Sequence, residues 1–250
     1  MNIPPSPAAG TEAAGTALAS SAMIALGATA IEVRPAMQFE TLEQQREASL
    51  FGMWIFLATE LMIFGGLLTA YAVYRSEYPA EFKAGSEHLN LLIGAINTVV
   101  LLTSSLTMAL AVRAAQTGLQ KRTVWLLLVT AALGAVFMGF KAVEYYTDYK
   151  ANLMPGFAFS PQEWTAQGLS PEHVQMFLIL YYFMTILHAI HLTLGIALLL
   201  AIAHLAHRGR YSPANYGGVE ISGLYWHFID IVWLFLLPLL YLVATRTSWQ

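Results

Sequence analysis

Seven residues set in apolar surroundings have side chains that could do chemistry: Glu60, Lys141, Glu144, His188, His191, His227 and Asp230. In "HAIH", His188 and His191 stand three apart, so a helix projects both from one face. With Glu60 they would resemble the set of two histidines and one carboxylate that holds non-haem iron. The Glu-x-x-His pairs of di-iron bundles are missing, and two histidines on one face cannot clamp both sides of a porphyrin. Hydrogen bonding between helices is the simpler use of the pair. "WHFID" repeats the spacing with His227 and Asp230, giving a buried ion pair, a proton relay or a polar clasp between helices. Lys141 and Glu144 are also three apart; the pattern suggests a local ion pair near a membrane interface, where lysine can extend toward water.

Composition sets the medium in which these groups must work. Of 250 residues, 57% are hydrophobic and 11% charged, whereas an average soluble domain carries about 25% charged residues. The chain therefore reads as a membrane protein. A net charge of −3 and the lack of any basic run exclude the electrostatic footprint of nucleic-acid binding. Without a single cysteine there are no disulfides, iron–sulfur clusters, thiolate nucleophiles or thiolate copper sites. Phosphate-binding glycine loops, nucleophile elbows and kinase signatures are likewise missing.

Elements that could hold the polar residues follow from the apolar runs. Five stretches, near 50–74, 89–115, 123–146, 174–206 and 220–244, each supply the roughly 20 residues that a spanning helix needs. The expected fold is all-α, an integral membrane bundle of five transmembrane helices over residues 50–246, antiparallel because most links are short. "LGAVFMG" and "FGG" offer small residues that let helix backbones approach. Between the third and fourth spans, the Pro and Gly of residues 150–172 break any helix and suggest an external loop or re-entrant cap. Residues 1–49 form an Ala-rich segment expected to be mobile or interfacial: "ALASSAMIALGATA" (17–30) is only mildly apolar, and 39–50 could be a short interfacial helix with Thr41 as N-cap.

Orientation is read from lysine and arginine in the short loops. With the N-terminus in the cytoplasm, that side holds Arg34, Arg46, Arg113, Lys121, Arg122, Arg208 and Arg210; the other holds Arg75, Lys83, Lys141, Lys150 and Arg246. The asymmetry places the N-terminus inside and the C-terminus outside. Tyr71, Tyr74, Tyr78, Tyr145, Tyr146, Tyr149, Tyr181 and Tyr182 then gather at the outer interface as an aromatic belt.

Five stretches in order resemble subunit III of the haem–copper respiratory oxidases: "FGMWIFLATELMIFGGLLTAY", "LNLLIGAINTVVLLTSSLTMALA", "GAVFMGFKAVEYYTDY", "YYFMTILHAIHLTLG" and "LYWHFIDIVWLFLLPLLYL". The likeness covers about residues 50 to 244, and the last two stretches are its most specific. Longer relatives have seven helices; this chain resembles the five-helix bacterial form. Lys141 stands where mitochondrial relatives tend to have Gln.

The resemblance implies a non-catalytic subunit without haem or copper, both being held in partner subunits. It would pack against the catalytic subunit I, with subunit II and membrane phospholipid as further partners, in the bacterial cytoplasmic membrane. On that reading Glu60, His188, His191 and Asp230 are buried structural or lipid-associated groups, and no residue of the chain is catalytic. Two other readings stay open. One is the accessory subunit of a nitric oxide reductase; the other is a proton-coupled transporter using Glu60, His188, His191 and Asp230.

Overall fold

The computed structural model describes residues 37–156 and 158–242. The Ala-rich stretch 17–30, the expected mobility of residues 1–36 and the charges of Arg34 and Arg246 lie outside the described residues. Among those described, the chain is almost entirely helical and its five long helices are each apolar enough to cross a membrane. They are α1 (Leu42–Glu77), α3 (Leu91–Gln116), α4 (Gln120–Lys150), α6 (Pro171–His207) and α7 (Gly217–Tyr241), with a short α2 (Pro79–Glu87) and α5 (Pro161–Ala166) between them. The five-span bundle expected from the apolar runs is thus the observed fold.

The differences are at the ends. The interfacial helix expected at 39–50 is not separate: it runs without a break into the first span, and α1 is 36 residues long. At 1.5 Å per residue that is about 54 Å, well beyond the ~30 Å hydrocarbon thickness. The link after α1, for which no element was expected, contains α2. Pro79 starts it at a position where a missing N–H costs nothing, and Phe82 anchors it against Tyr71 and Phe177. The 150–172 region is a loop, as its Pro and Gly content suggests, and folds as a two-residue ladder, β1 (Leu153–Met154) with β2 (Ala158–Phe159), followed by α5.

The helix α7 is the most enclosed of the five spans: it packs on α3, α6 and α1, and half of its most apolar stretch is buried, against 11% for α1. Trp226 and Trp233 fill its inner face. A Cβ on Gly134 would lie 2.7 Å from the Trp226 ring, and one on Gly195 3.2 Å from it, so both glycines exist to admit that indole. The other glycines picked out for close approach, Gly65, Gly66 and Gly139, face open space. Small size permits contact only on the face that meets a neighbour.

Pro238 interrupts the amide ladder near the end of α7, where the last carbonyls have no intrahelical donors. Two side chains from elsewhere supply them. Tyr71 of α1 donates to the Leu239 carbonyl, and Ser86 of α2 to that of Leu240, both at 2.7 Å. In a medium without water these caps fasten α1 and α2 to α7.

Candidate functional site: polar groups within the bundle

Glu60 sits on α1 and faces α6. Its Oε2 lies 2.9 Å from His191 Nε2, while His191 Nδ1 is 2.8 Å from the Leu187 carbonyl one turn back. A carbonyl oxygen can only accept, so Nδ1 carries a hydrogen. The Nε2–Oε2 contact then requires one proton between its two atoms, on either the carboxyl or the imidazole. Tyr225 of α7 donates to the His191 carbonyl at 3.1 Å, and Phe64 packs its ring on the imidazole. The pair therefore joins α1 to α6, with α7 attached through the same residue.

His188 does not share that contact. Its ring lies between Phe137 of α4 and Trp233 of α7, at 5.6 and 5.3 Å between centroids, and it is 1% exposed. Three residues turn a helix through 300°, and the remaining 60° sends His191 toward α1 and His188 into the core. The triad of Glu60, His188 and His191 is not assembled. Among the described residues no group of three or more His, Asp or Glu side chains is placed to hold a metal ion. Both ring nitrogens of His191 are already engaged.

The pairing considered for His227 and Asp230 is not formed either. His227 Nδ1 meets the Ser105 hydroxyl of α3 at 2.7 Å, which makes it a clasp between α7 and α3. The carboxyl oxygens of Asp230 are buried and have no partner at hydrogen-bond distance among the described residues. The Ser105 hydroxyl comes near Asp230 as a weak, longer-range donor, and its short contact is with the imidazole. A neighbouring indole, Trp226, donates to Ser104 at 3.1 Å, so adjacent serines of α3 hold adjacent residues of α7.

Lys141 and Glu144 do pair, at 3.0 Å between Nζ and Oε2, but the lysine does not reach water. Both side chains are 4% exposed. Nζ also donates to the Tyr241 hydroxyl at 2.7 Å, and the hydroxyls of Tyr241 and Tyr181 both donate to Glu144 Oε1. The faces of Trp233, Tyr181 and Tyr241 lie 4.8, 5.4 and 5.3 Å from Nζ, where the ring quadrupole attracts a cation. Phenol oxygens and aromatic faces thus replace the water that an interfacial lysine would otherwise seek.

This cluster corrects the aromatic belt. Tyr71, Tyr181 and Tyr182 are interior residues with hydroxyls bonded to other helices, Tyr182 to Asp148 at 3.2 Å. Tyr145, half-buried, donates to Thr185, while Tyr74, Tyr146 and Tyr149 are exposed and fit the belt. Sequence reasoning missed Tyr181 and Tyr241 as partners of the ion pair, and Ser105 and Tyr225 as partners of the histidines. The run of tyrosines beside a charged pair was the one available signal. At the other end of the bundle, Arg46 of α1 makes a two-pronged ion pair with Glu220 of α7, at 2.7 and 2.9 Å, and covers the Tyr216 ring.

Comparison with known proteins extends these observations. Residues 36–245 match the profile of the family described as cytochrome c oxidase subunit III. Cytochrome c oxidase subunit 3 of Synechocystis sp. is 34% identical over 199 residues, which cover 78% of this chain and 75% of the relative. The protein of the same name from Thermostichus vulcanus is 30% identical over 78% of this chain and 87% of its own length. Cytochrome bo(3) ubiquinol oxidase subunit 3 of Pseudomonas aeruginosa is 28% identical over 78% of this chain and 85% of its own.

Proposed function

Because the chain belongs to the cytochrome c oxidase subunit III family, we propose that it is a non-catalytic subunit of a haem–copper terminal oxidase in a bacterial cytoplasmic membrane. It packs there against the catalytic subunit that reduces oxygen to water and pumps protons, with a second core subunit and phospholipid as further partners. Haem and copper reside in those partners. The supporting observation within this chain is that four of its candidate groups are used in contacts between side chains: Glu60 on His191, Lys141 on Glu144 and two tyrosines, and that His227 bonds Ser105. Such contacts hold helices in place and engage His191 and His227 with groups of the chain itself.

Topology follows the same logic. Lys141, counted from the sequence with the outer side, is an internal partner of Glu144 and carries no topological weight. Among the described residues, Arg46, Arg113, Lys121, Arg122, Arg208 and Arg210 then face Arg75, Lys83 and Lys150 across the membrane. That sharper asymmetry favours a cytoplasmic N-terminus. The relatives include subunits named for cytochrome c and for ubiquinol oxidases, and the donor is a property of the partner chains.

Extraction in mild detergent tests the proposal. The chain is expected to co-purify with a haem-bearing complex that oxidises reduced cytochrome c or quinol, and to show no haem spectrum when separated. A stoichiometric haem or transition ion on the isolated chain, or oxygen reduction by it alone, overturns the reading. A complex that reduces nitric oxide instead would move the chain to the reductase branch.

A further inference from the structure

Among the described residues, three side chains in the core have no hydrogen-bond partner for either of their polar atoms. Asn97 of α3, His188 of α6 and Asp230 of α7 are 0%, 1% and 3% exposed, and both polar atoms of each are unpaired. They lie on three different helices around Trp233. Its ring packs on His188, its Nε1 donates to Thr98 Oγ1 at 3.1 Å beside Asn97, and Asp230 lies one turn before it on α7. Three helices thus each bring an unsatisfied polar group within about one helical turn of Trp233.

A bare polar group at such depth costs a sizeable part of a protein's whole stability, so native interiors rarely retain one. The chemistry of the set identifies what satisfies it. Asn97 offers an amide donor and a carbonyl acceptor, neutral His188 one donor and one acceptor, and Asp230 is chiefly an acceptor. A metal ion could take the carboxylate, the amide oxygen and one imidazole nitrogen but would leave the amide and imidazole N–H donors unpaired; an anion fails in the opposite sense. Water both donates and accepts, is small enough for an interior site, and when buried typically makes about three such bonds.

We propose that ordered water molecules occupy the interior of the bundle beside Trp233 and hydrogen-bond Asn97, His188 and Asp230. The same indole lies 4.8 Å from Lys141 Nζ, so one ring separates this hydrated level from the buried ion pair. The bundle core would then be polar and wet at mid-height, while the levels around Met108 and Leu127, also 0% exposed, are dry.

Brief radiolysis of the intact membrane complex, read by mass spectrometry, tests this, because hydroxyl radicals formed from bound water oxidise the side chains that touch it. Trp233 is expected to be oxidised at least about tenfold faster than Met108, a residue equally buried and at least as reactive but without an unpaired polar neighbour. Equal, background rates at the two residues overturn the proposal without any variant. In the double variant Asn97→Leu/Asp230→Leu, Trp233 oxidation is expected to fall to the Met108 level; undiminished oxidation there would mean that water reaches the indole by another route and overturns the assignment of these side chains.

Discussion

Glu60 with His191 and Lys141 with Glu144 are both acid–base pairs inside a membrane bundle, and they are built in opposite ways. The first joins two helices through one contact at the rim, its side chains 13% and 12% exposed. The second lies within one turn of α4, is 4% exposed, and draws α6 and α7 in through two phenols and an indole. Enclosure is what differs. A pair at the rim can keep one shared proton and little else, whereas a sealed pair persists only if every lone pair and N–H finds a partner. The sealed cluster is therefore a junction of three helices, and the rim pair is a single fastening of the outermost one.

Removing one member of the sealed pair gives the largest expected effect. Lys141→Met leaves Glu144 without its cation, at a cost of about 3–5 kcal/mol. Thermal unfolding in detergent, or loss of the chain from the complex on washing, measures it. The double change Lys141→Met/Glu144→Leu should recover most of that loss, since a packed apolar pair is often as stable as a buried ionic one. If the single and double variants are equally damaged, enclosure is not the distinguishing property.

Tyr241→Phe comes next. It keeps the ring over Nζ but deletes the hydroxyl that accepts from Lys141 and donates to Glu144. Hydrogen bonds to charged groups contribute about 1.5–3 kcal/mol, so a loss in that range is expected, measured by the same unfolding assay. A change as small as that of an exposed tyrosine such as Tyr146→Phe would show that the ion pair stands without its phenols.

A third pair sets the lower scale. Arg46 and Glu220 bond through both prongs, yet Arg46 is 38% exposed and screened by water and salt. Arg46→Gln is expected to cost at most about 1 kcal/mol, diminishing as salt is raised. Denaturation at low and high ionic strength checks both size and trend.

The sequence carried the architecture well because spanning helices announce themselves by length and apolarity, and those signals belong to single segments. It carried the pairs unevenly. Lys141 and Glu144 were legible, being one turn apart on one helix. Glu60 with His191 was legible only as types that could meet, and nothing local separated His191 from His188, which the 60° offset sends elsewhere. Tyr181 and Tyr241 lie 60 residues apart on different helices, and a tyrosine that caps a buried ion pair has the same local signature as one that sits at an interface. Partners across helices are set by packing, which no short window of residues contains.

The smallest expected effect is at the rim pair itself. Glu60→Gln replaces the carboxyl with an amide of nearly the same shape, and its N–H can donate to neutral His191 Nε2 while Nδ1 keeps its bond to the Leu187 carbonyl. The one proton that the contact requires is thus still supplied, and α1 stays joined to α6. Side-chain hydrogen bonds between membrane helices average about 0.6 kcal/mol in double-mutant cycles, so retention of the chain in the complex after detergent washing should match the unsubstituted protein. Glu60→Leu leaves His191 Nε2 without its partner and should lower retention by about that average amount. The two substitutions separate a hydrogen-bonding role from an ionic one: if Gln fails as badly as Leu, the contact is an ion pair whose charge matters, and the contrast between rim and core narrows to their difference in exposure.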